Sequence, residues 1–226
     1  MRRRTKSRAS SRKPSARSRV NLFLTGTDTD VGKTYVATLL VRALRAQGVD
    51  AVGLKPLCCG GREDAEALYA ANAGTIPLND VNPVWLRTTA APYTATMIEN
   101  RAIDLALIRE TFARLRGAHE ALIVEGVGGW RVPIARGYFV SDLAAEFALP
   151  VAVVVANRLG ALNHALLTVE SVRACGLECA GVIFNHAASA AEDIASVTNR
   201  GVLEEILGVP ILYEIAHGQR DLAPLR

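Results

Sequence analysis

The chain has 226 residues, half of them hydrophobic and 21% charged, a globular composition with enough apolar side chain to bury a sizeable core. That excludes a wholly disordered chain and a disulfide-stapled miniprotein. The formal net charge of +4 invites a nucleic-acid reading, but its distribution argues against one. Residues 1–19 carry nine Lys/Arg and no Asp or Glu; the remainder holds 17 basic and 22 acidic residues, a net of −5. The tail MRRRTKSRASSRKPSARSR has no aromatic, Val, Leu or Ile side chain, so it is expected to be disordered, ahead of one domain over residues 20–226. It has neither the apolar core of a secretory signal nor the hydrophobic face of a transit helix. No apolar run reaches the length of a membrane span. Cys58, Cys59, Cys175 and Cys179 lack the spacing of a zinc site and read as reduced thiols of a cytoplasmic protein.

Strand and helix patterns alternate along the body. Val20–Thr25 reads as a buried strand, Gly32–Gln47 as a helix and Val49–Lys55 as a second strand. Glu63–Ala73 is helical, and Thr75–Thr96, with Pro77, Pro83 and Pro92, reads as loop. Ile103–Arg116 is a helix and Ala121–Glu125 a strand running into Gly126, Gly128 and Gly129. A short helix over Ser141–Ala148 precedes the strand VAVVVAN, a helix over Ala161–Cys175 and a strand over Ala180–Asn185. A helix over Ala190–Leu207 and a strand over Val209–Tyr213 end the pattern. Continuous apolar strands between helices imply a parallel sheet covered on both faces, a single-domain α/β fold.

The stretch from Thr25 to Thr34, TGTDTDVGKT, follows a strand and opens a helix, the context of a phosphate-binding loop in a P-loop NTPase-like fold. Lys33 is placed to reach the β- and γ-phosphates and the Thr34 hydroxyl to ligate Mg²⁺. Five residues rather than four separate Gly26 from Gly32, a departure from the common spacing. Glu125 ends a strand, where a carboxylate faces the ligand crevice and suits Mg²⁺. Lys55 ends the second strand, and Asp64 follows at the start of the next helix.

Together, GTDTDVGKT (26–34), KPLCCGG (55–61), VEGVGGW (124–130), LPVAVVVANRLGALNHALLT (149–168) and AGVIFN (180–185) resemble the dethiobiotin synthetase family, in its order and over nearly all of residues 20–215. The resemblance implies a parallel sheet of about seven strands and a homodimer; the charge distribution and the lack of a long apolar run lead us to expect no nucleic-acid or membrane partner. The resemblance also implies ATP- and Mg²⁺-dependent ring closure of 7,8-diaminopelargonate with CO₂. It places Lys55 and Lys33 as catalytic residues, and Thr34, Asp64 and Glu125 as metal ligands. It assigns Asp30, Val31, Gly32, Lys33, Thr34, Tyr35, Asp64, Glu125, Gly126, Val127, Gly128 and Asn185 to ATP, with Asn185 on adenine. It assigns Cys59, Gly160, Ala161, Leu162 and Asn163 to substrate, the last four across the subunit boundary.

Three positions depart from the family. Cys59 stands where serine is common, Arg158-Leu159-Gly160 replaces KLG, and Ala91-Pro92-Tyr93 replaces a segment ending in histidine. The end segment Glu214–His217 follows the adenine side only loosely. Two other readings share the loop: a corrin-ring amidotransferase-like ligase, which needs a second domain, and a partition-type ATPase switch, whose extra loop lysine has no counterpart between Gly26 and Asp30.

Overall fold

The computed structural model describes residues 20–186 and 194–223. The tail expected to be disordered, and the first residues of the helix expected from Ala190, lie outside the described residues. β1 (Asn21–Gly26) leads through a loop into α1 (Lys33–Ala46), and β2 (Ala51–Leu54) follows. Next come β3 (Leu57–Cys59), α2 (Glu63–Ala71), the single turn α3 (Leu78–Val81), β4 (Val84–Leu86) and α4 (Pro92–Glu99). α5 (Leu105–Ala118) precedes β5 (Ala121–Glu125), the hairpin strands β6 (Pro133–Ala135) and β7 (Tyr138–Phe139), and α6 (Val140–Phe147). The series ends with β8 (Val151–Ala156), α7 (Ala161–Ala174), β9 (Cys179–Asn185), α8 (Ile194–Ile206) and β10 (Ile211–Ile215).

The main sheet is parallel throughout, in the order β10-β9-β8-β1-β5-β2. Its inner strands β1, β5 and β8 are almost wholly buried, as their uninterrupted apolar runs require when helices cover both faces. Six strands form it among the described residues, rather than about seven, because β3 and β4 pair separately beside the β2 edge. Pro56 lacks the N–H that would carry β2 onward, so the ladder stops at Leu54 and a new pairing begins at Leu57.

The stretch Thr75–Thr96, expected to be loop, is the clearest correction. It contains α3, β4 and the first turn of α4. Its prolines sit where they cost nothing: Pro77 caps α3 and Pro92 opens α4, positions whose N–H groups have no partner within the helix. The last strand also starts later than expected, at Ile211, because Pro210 cannot donate and contributes only its carbonyl, which accepts from Val182 N at 2.9 Å. The β6–β7 hairpin had no signal in the sequence; three- and two-residue strands are too short to show a period.

Strand order reverses on either side of β1: α1 carries the chain toward β2 on one side, and β8, β9 and β10 extend the other. Ligands in such sheets bind at the carboxyl ends of the strands at this reversal. The loop after β1, Glu125 at the end of β5 and Lys55 just past β2 all lie there.

Candidate active site

The loop between β1 and α1 is anchored from below, with Thr27 N donating to Val154 O at 3.0 Å. Gly32 begins α1 at φ 90°, a left-handed conformation that disfavours side chains. A Cβ there would also lie 2.0 Å from Asn185 Nδ2, so two independent constraints demand glycine. No side chain caps α1. Its first N–H groups are therefore left without a side-chain cap, and a helix start of this kind suits an anion.

Four functional side chains converge above that helix start. Lys55 Nζ donates to Glu125 Oε1 at 2.5 Å and to Asp64 Oδ2 at 2.7 Å. Thr34 Oγ1 donates to the same Glu125 oxygen at 2.7 Å. Lys55 is 2% exposed and Glu125 fully buried, so the cation and its main counter-charge lie in a low-dielectric setting. Burial by itself lowers the Lys55 pKa, but the Glu125 and Asp64 carboxylates outweigh it and hold the ammonium above the ordinary lysine range. Burial works to raise Asp64, but the charge and hydrogen bond of Lys55 outweigh it and hold the carboxyl below its usual range.

Lys33 is buried beside them and donates to Asp28 O at 2.9 Å, folded back on its own loop. Burial, and next the charge of Lys55, push its ammonium down to about 8. An anion in the crevice opposes both effects, so Lys33 gains more from phosphate than an exposed lysine would.

These groups line one cavity of about 700 Å³. Asp30, Gly32, Lys33, Thr34, Lys55, Cys59, Asp64, Glu125, Val127 and Gly128 all face it. Other residues assigned from the sequence stand apart from its walls. Val31 is buried beneath the loop, and Gly126 is packed where a Cβ would meet Phe23 and Val140 at 3.2 Å. The Tyr35 hydroxyl donates to Gln219 O. Asn185 Nδ2 donates to Val31 O at 2.9 Å, which ties the end of β9 to the phosphate loop. Gly160, Ala161, Leu162 and Asn163 form the start of α7, which is uncapped by any side chain and begins at a left-handed Gly160. They do not line the cavity of their own chain.

The sequence reading missed one wall. Thr89, Ala90, Ala91 and Pro92, at the entrance to α4, also line the cavity. The signal was present in Pro92 as a helix-opening residue, but only the β3–β4 pairing brings that turn over Cys59. Cys58 also faces the cavity.

Burial pushes the Cys58 thiol up to about 12 and the Cys59 thiol up to about 11. At pH 8 the Cys59 thiolate fraction is then on the order of 10⁻³, and the thiolate is the reactive form. Both cysteines are expected to alkylate with iodoacetamide at least about tenfold more slowly than an unhindered thiol, at a rate rising with pH toward 11. Mass spectrometry of the peptide spanning residues 56–62 measures this, and rapid stoichiometric labelling at pH 8 would contradict it.

The comparisons with known proteins agree with this geometry. The profile of a family described as an AAA domain (AAA_26) matches residues 20–219. An ATP-dependent dethiobiotin synthetase of Akkermansia muciniphila is 49% identical over 199 residues, 88% of this chain and 93% of that protein. One from Aromatoleum aromaticum is 42% identical over 203 residues, covering 86% and 89% of the two chains. Among solved structures, a ParA family ATPase of Chlorobium tepidum is similar with a TM-score of 0.56 at 12% identity, covering 89% of this chain and 86% of that one. The septum site-determining protein MinD of Pyrococcus horikoshii, complexed with Mg-ADP, is similar with a TM-score of 0.54 at 18% identity, covering 88% and 81%. At such identities the structural likeness speaks to fold alone, whereas identity near one half over most of both chains speaks to family: the chain belongs to the dethiobiotin synthetase family.

Proposed function

We propose that the protein uses ATP to join CO₂ to 7,8-diaminopelargonate and close the cyclic urea of dethiobiotin, as a cytoplasmic homodimer. One observation carries the reading. Lys33, Thr34, Lys55, Asp64 and Glu125 meet in a single cavity of about 700 Å³, within the size of small-ligand sites.

The chemistry asks little covalent work of the protein. One amine of the diamine adds to CO₂ and loses a proton, giving a carbamate. A carbamate oxygen then attacks the γ-phosphorus and the bond to ADP breaks. The second amine attacks the activated carbonyl carbon, the C–O bond to phosphate breaks, and the amine proton is released with ring closure. The carbamate, the ATP phosphates and the phosphorylated carbamate are all anionic, so positioning and fixed positive charge supply much of the catalysis. The backbone N–H groups of Gly32, Lys33 and Thr34 hold the phosphates, and the Lys33 ammonium leaves Asp28 O for the β- and γ-phosphate oxygens. Lys55, held charged between two carboxylates, presents its ammonium between carbamate and γ-phosphate.

The donors fit Mg²⁺. Glu125 Oε2 is buried with no hydrogen-bond partner among the described residues, a lone pair that a cation would satisfy. The Thr34 hydroxyl and the Asp64 carboxylate lie alongside. The described residues hold no group of three or more His, Cys, Asp or Glu placed for a metal. Two carboxylates and one hydroxyl suit an ion that completes its shell with phosphate oxygens and water. When bound, Mg²⁺ would neutralise charge on the transferring phosphoryl group.

The start of α7 supports the homodimer. It is an uncapped helix end suited to the substrate carboxylate, it lies off the cavity of its own chain, and it is preceded by Leu159, which is 83% exposed. In this reading Gly160, Ala161, Leu162 and Asn163 complete the site of a second copy, Asn185 and Tyr35 lie on the adenine side, and Cys59 touches the diamine. No described helix is long and apolar enough to cross a membrane.

Incubation with Mg-ATP and labelled bicarbonate tests the function. ADP release is expected to depend on the diamine and to match label in an acid-stable urea. ATP hydrolysis indifferent to the diamine would overturn the reading.

A further inference from the structure

Two charged residues of the site, Lys55 and Asp64, come from separate elements, and the chain between them does not set their separation. It runs through β3 and then Gly60 and Gly61, with Gly60 in a left-handed turn. A third residue outside the cavity grips both ends. We propose that Asn82, at the end of α3, is a positioning residue that sets Lys55 against Asp64.

Asn82 is 1% exposed, and both amide protons and the amide oxygen are engaged. Its Nδ2 donates to Lys55 O at 2.9 Å and to Val84 O at 2.8 Å. Its Oδ1 accepts from Arg62 Nε at 3.1 Å, and its backbone O accepts from Arg62 Nη2 at 3.1 Å. The two carbonyls on one side and the guanidinium on the other admit only one orientation of the amide. Lys55 N donates to Val81 O at 2.7 Å, so the peptide groups on both sides of Lys55 are tied to the same short segment.

Arg62 is the residue from which α2 starts; its carbonyl accepts the first helical bond from Glu66 N at 2.9 Å. Asp64 lies two residues further on, in the first turn. One buried amide therefore fixes the backbone of Lys55 and, through Arg62, the helix start that carries Asp64. The contact Lys55 Nζ–Asp64 Oδ2 of 2.7 Å closes that loop on the cavity side. Displacing a reacting group by about 1 Å costs on the order of 10²-fold in rate, so loss of this anchor reaches the chemistry although Asn82 does not line the cavity.

The inference rests on the role proposed above for Lys55, and the test separates the two. Asn82→Asp keeps the size and the acceptor facing Arg62 but removes both donors and sets a carboxylate oxygen against the carbonyls of Lys55 and Val84. In the full-length protein it is expected to lower diamine-dependent kcat about 10- to 100-fold, with ATP affinity changed less than about twofold. Arg62→Ala, at a half-buried position, is expected to lower kcat about 3- to 10-fold with the same unchanged ATP affinity. Fluorescent-nucleotide titration without Mg²⁺, where Asp64 has no ion to hold, thermal melting and steady-state kinetics measure the three quantities. A kcat per folded molecule within twofold of the parent in Asn82→Asp overturns the proposal. So does a parallel loss of ATP affinity, which reports general collapse of the site. If Asn82→Asp does not melt cooperatively, Arg62→Ala decides: a selective kcat loss supports the proposal and an unchanged kcat overturns it. Lys55→Ala runs beside them; full turnover in that variant would remove the premise, whereas its loss together with normal Asn82→Asp turnover would refute the positioning role alone.

Discussion

Lys55→Ala is expected to lower kcat by about 10³-fold while leaving ATP affinity within a few-fold of the parent, because removing one preorganised charge from a water-excluded site costs this much at the transition state. The separation of effects follows from the geometry. In the proposed reading the phosphates are held by the uncapped start of α1 and by Lys33, neither of which Lys55 supports through a hydrogen bond. Burial and the Lys55 charge together hold Lys33 down to about 8, so removing Lys55 relieves one of those two effects and favours the charged form of Lys33. Steady-state kinetics with saturating diamine, beside nucleotide titration, measures both. Near-normal turnover with weakened ATP binding would show that Lys55 belongs to the nucleotide and not to the reaction.

Glu125→Ala is expected to be the most destabilising single change in the site. Glu125 is fully buried at the end of β5 and is the nearer counter-charge of a fully buried cation. Removing it leaves Lys55 with Asp64, whose side chain is 49% exposed and correspondingly screened. Breaking a buried pair from one side costs about 3–5 kcal/mol. Urea denaturation is expected to show a lower midpoint with the slope unchanged. Glu125→Ala combined with Lys55→Ala is expected to be more stable than Glu125→Ala alone, because the orphaned charge goes with its partner. A double variant as unstable as the sum of the two singles would show that Glu125 acts through packing and not through charge.

Much of this architecture was legible in the residues. Continuous Val/Ile/Leu runs such as VAVVVA identify strands buried on both faces, and each is a strand of the parallel sheet. The phosphate loop is equally plain, because Gly32 and the Lys33-Thr34 that follow meet a local backbone demand with a local identity. Glu125 and Lys55 could be placed at strand ends by counting along apolar runs that stop there. Length and apolar period are local properties, and these features are local.

The segment from Thr75 to Thr96 shows where local reading stops. Its α3 and β4 are four and three residues long, and its strand exists only because Val84–Leu86 pairs in parallel with Leu57–Cys59 across more than twenty residues of chain. No period or propensity encodes that pairing. It nonetheless builds the wall of Thr89 to Pro92 over the cavity and buries Asn82 against Lys55.

The sequence by itself determined the fold class, the phosphate loop, the excess of basic charge in the first nineteen residues, and the family, each carried by contiguous runs of residue types. Only the tertiary structure decided that Lys55 lies between Asp64 and Glu125, that Thr34 shares the same carboxylate oxygen, and that Asn185 anchors the phosphate loop through Val31. Those contacts join residues tens of positions apart, and their energies depend on distances and burial that exist only once the strands have taken their order in the sheet.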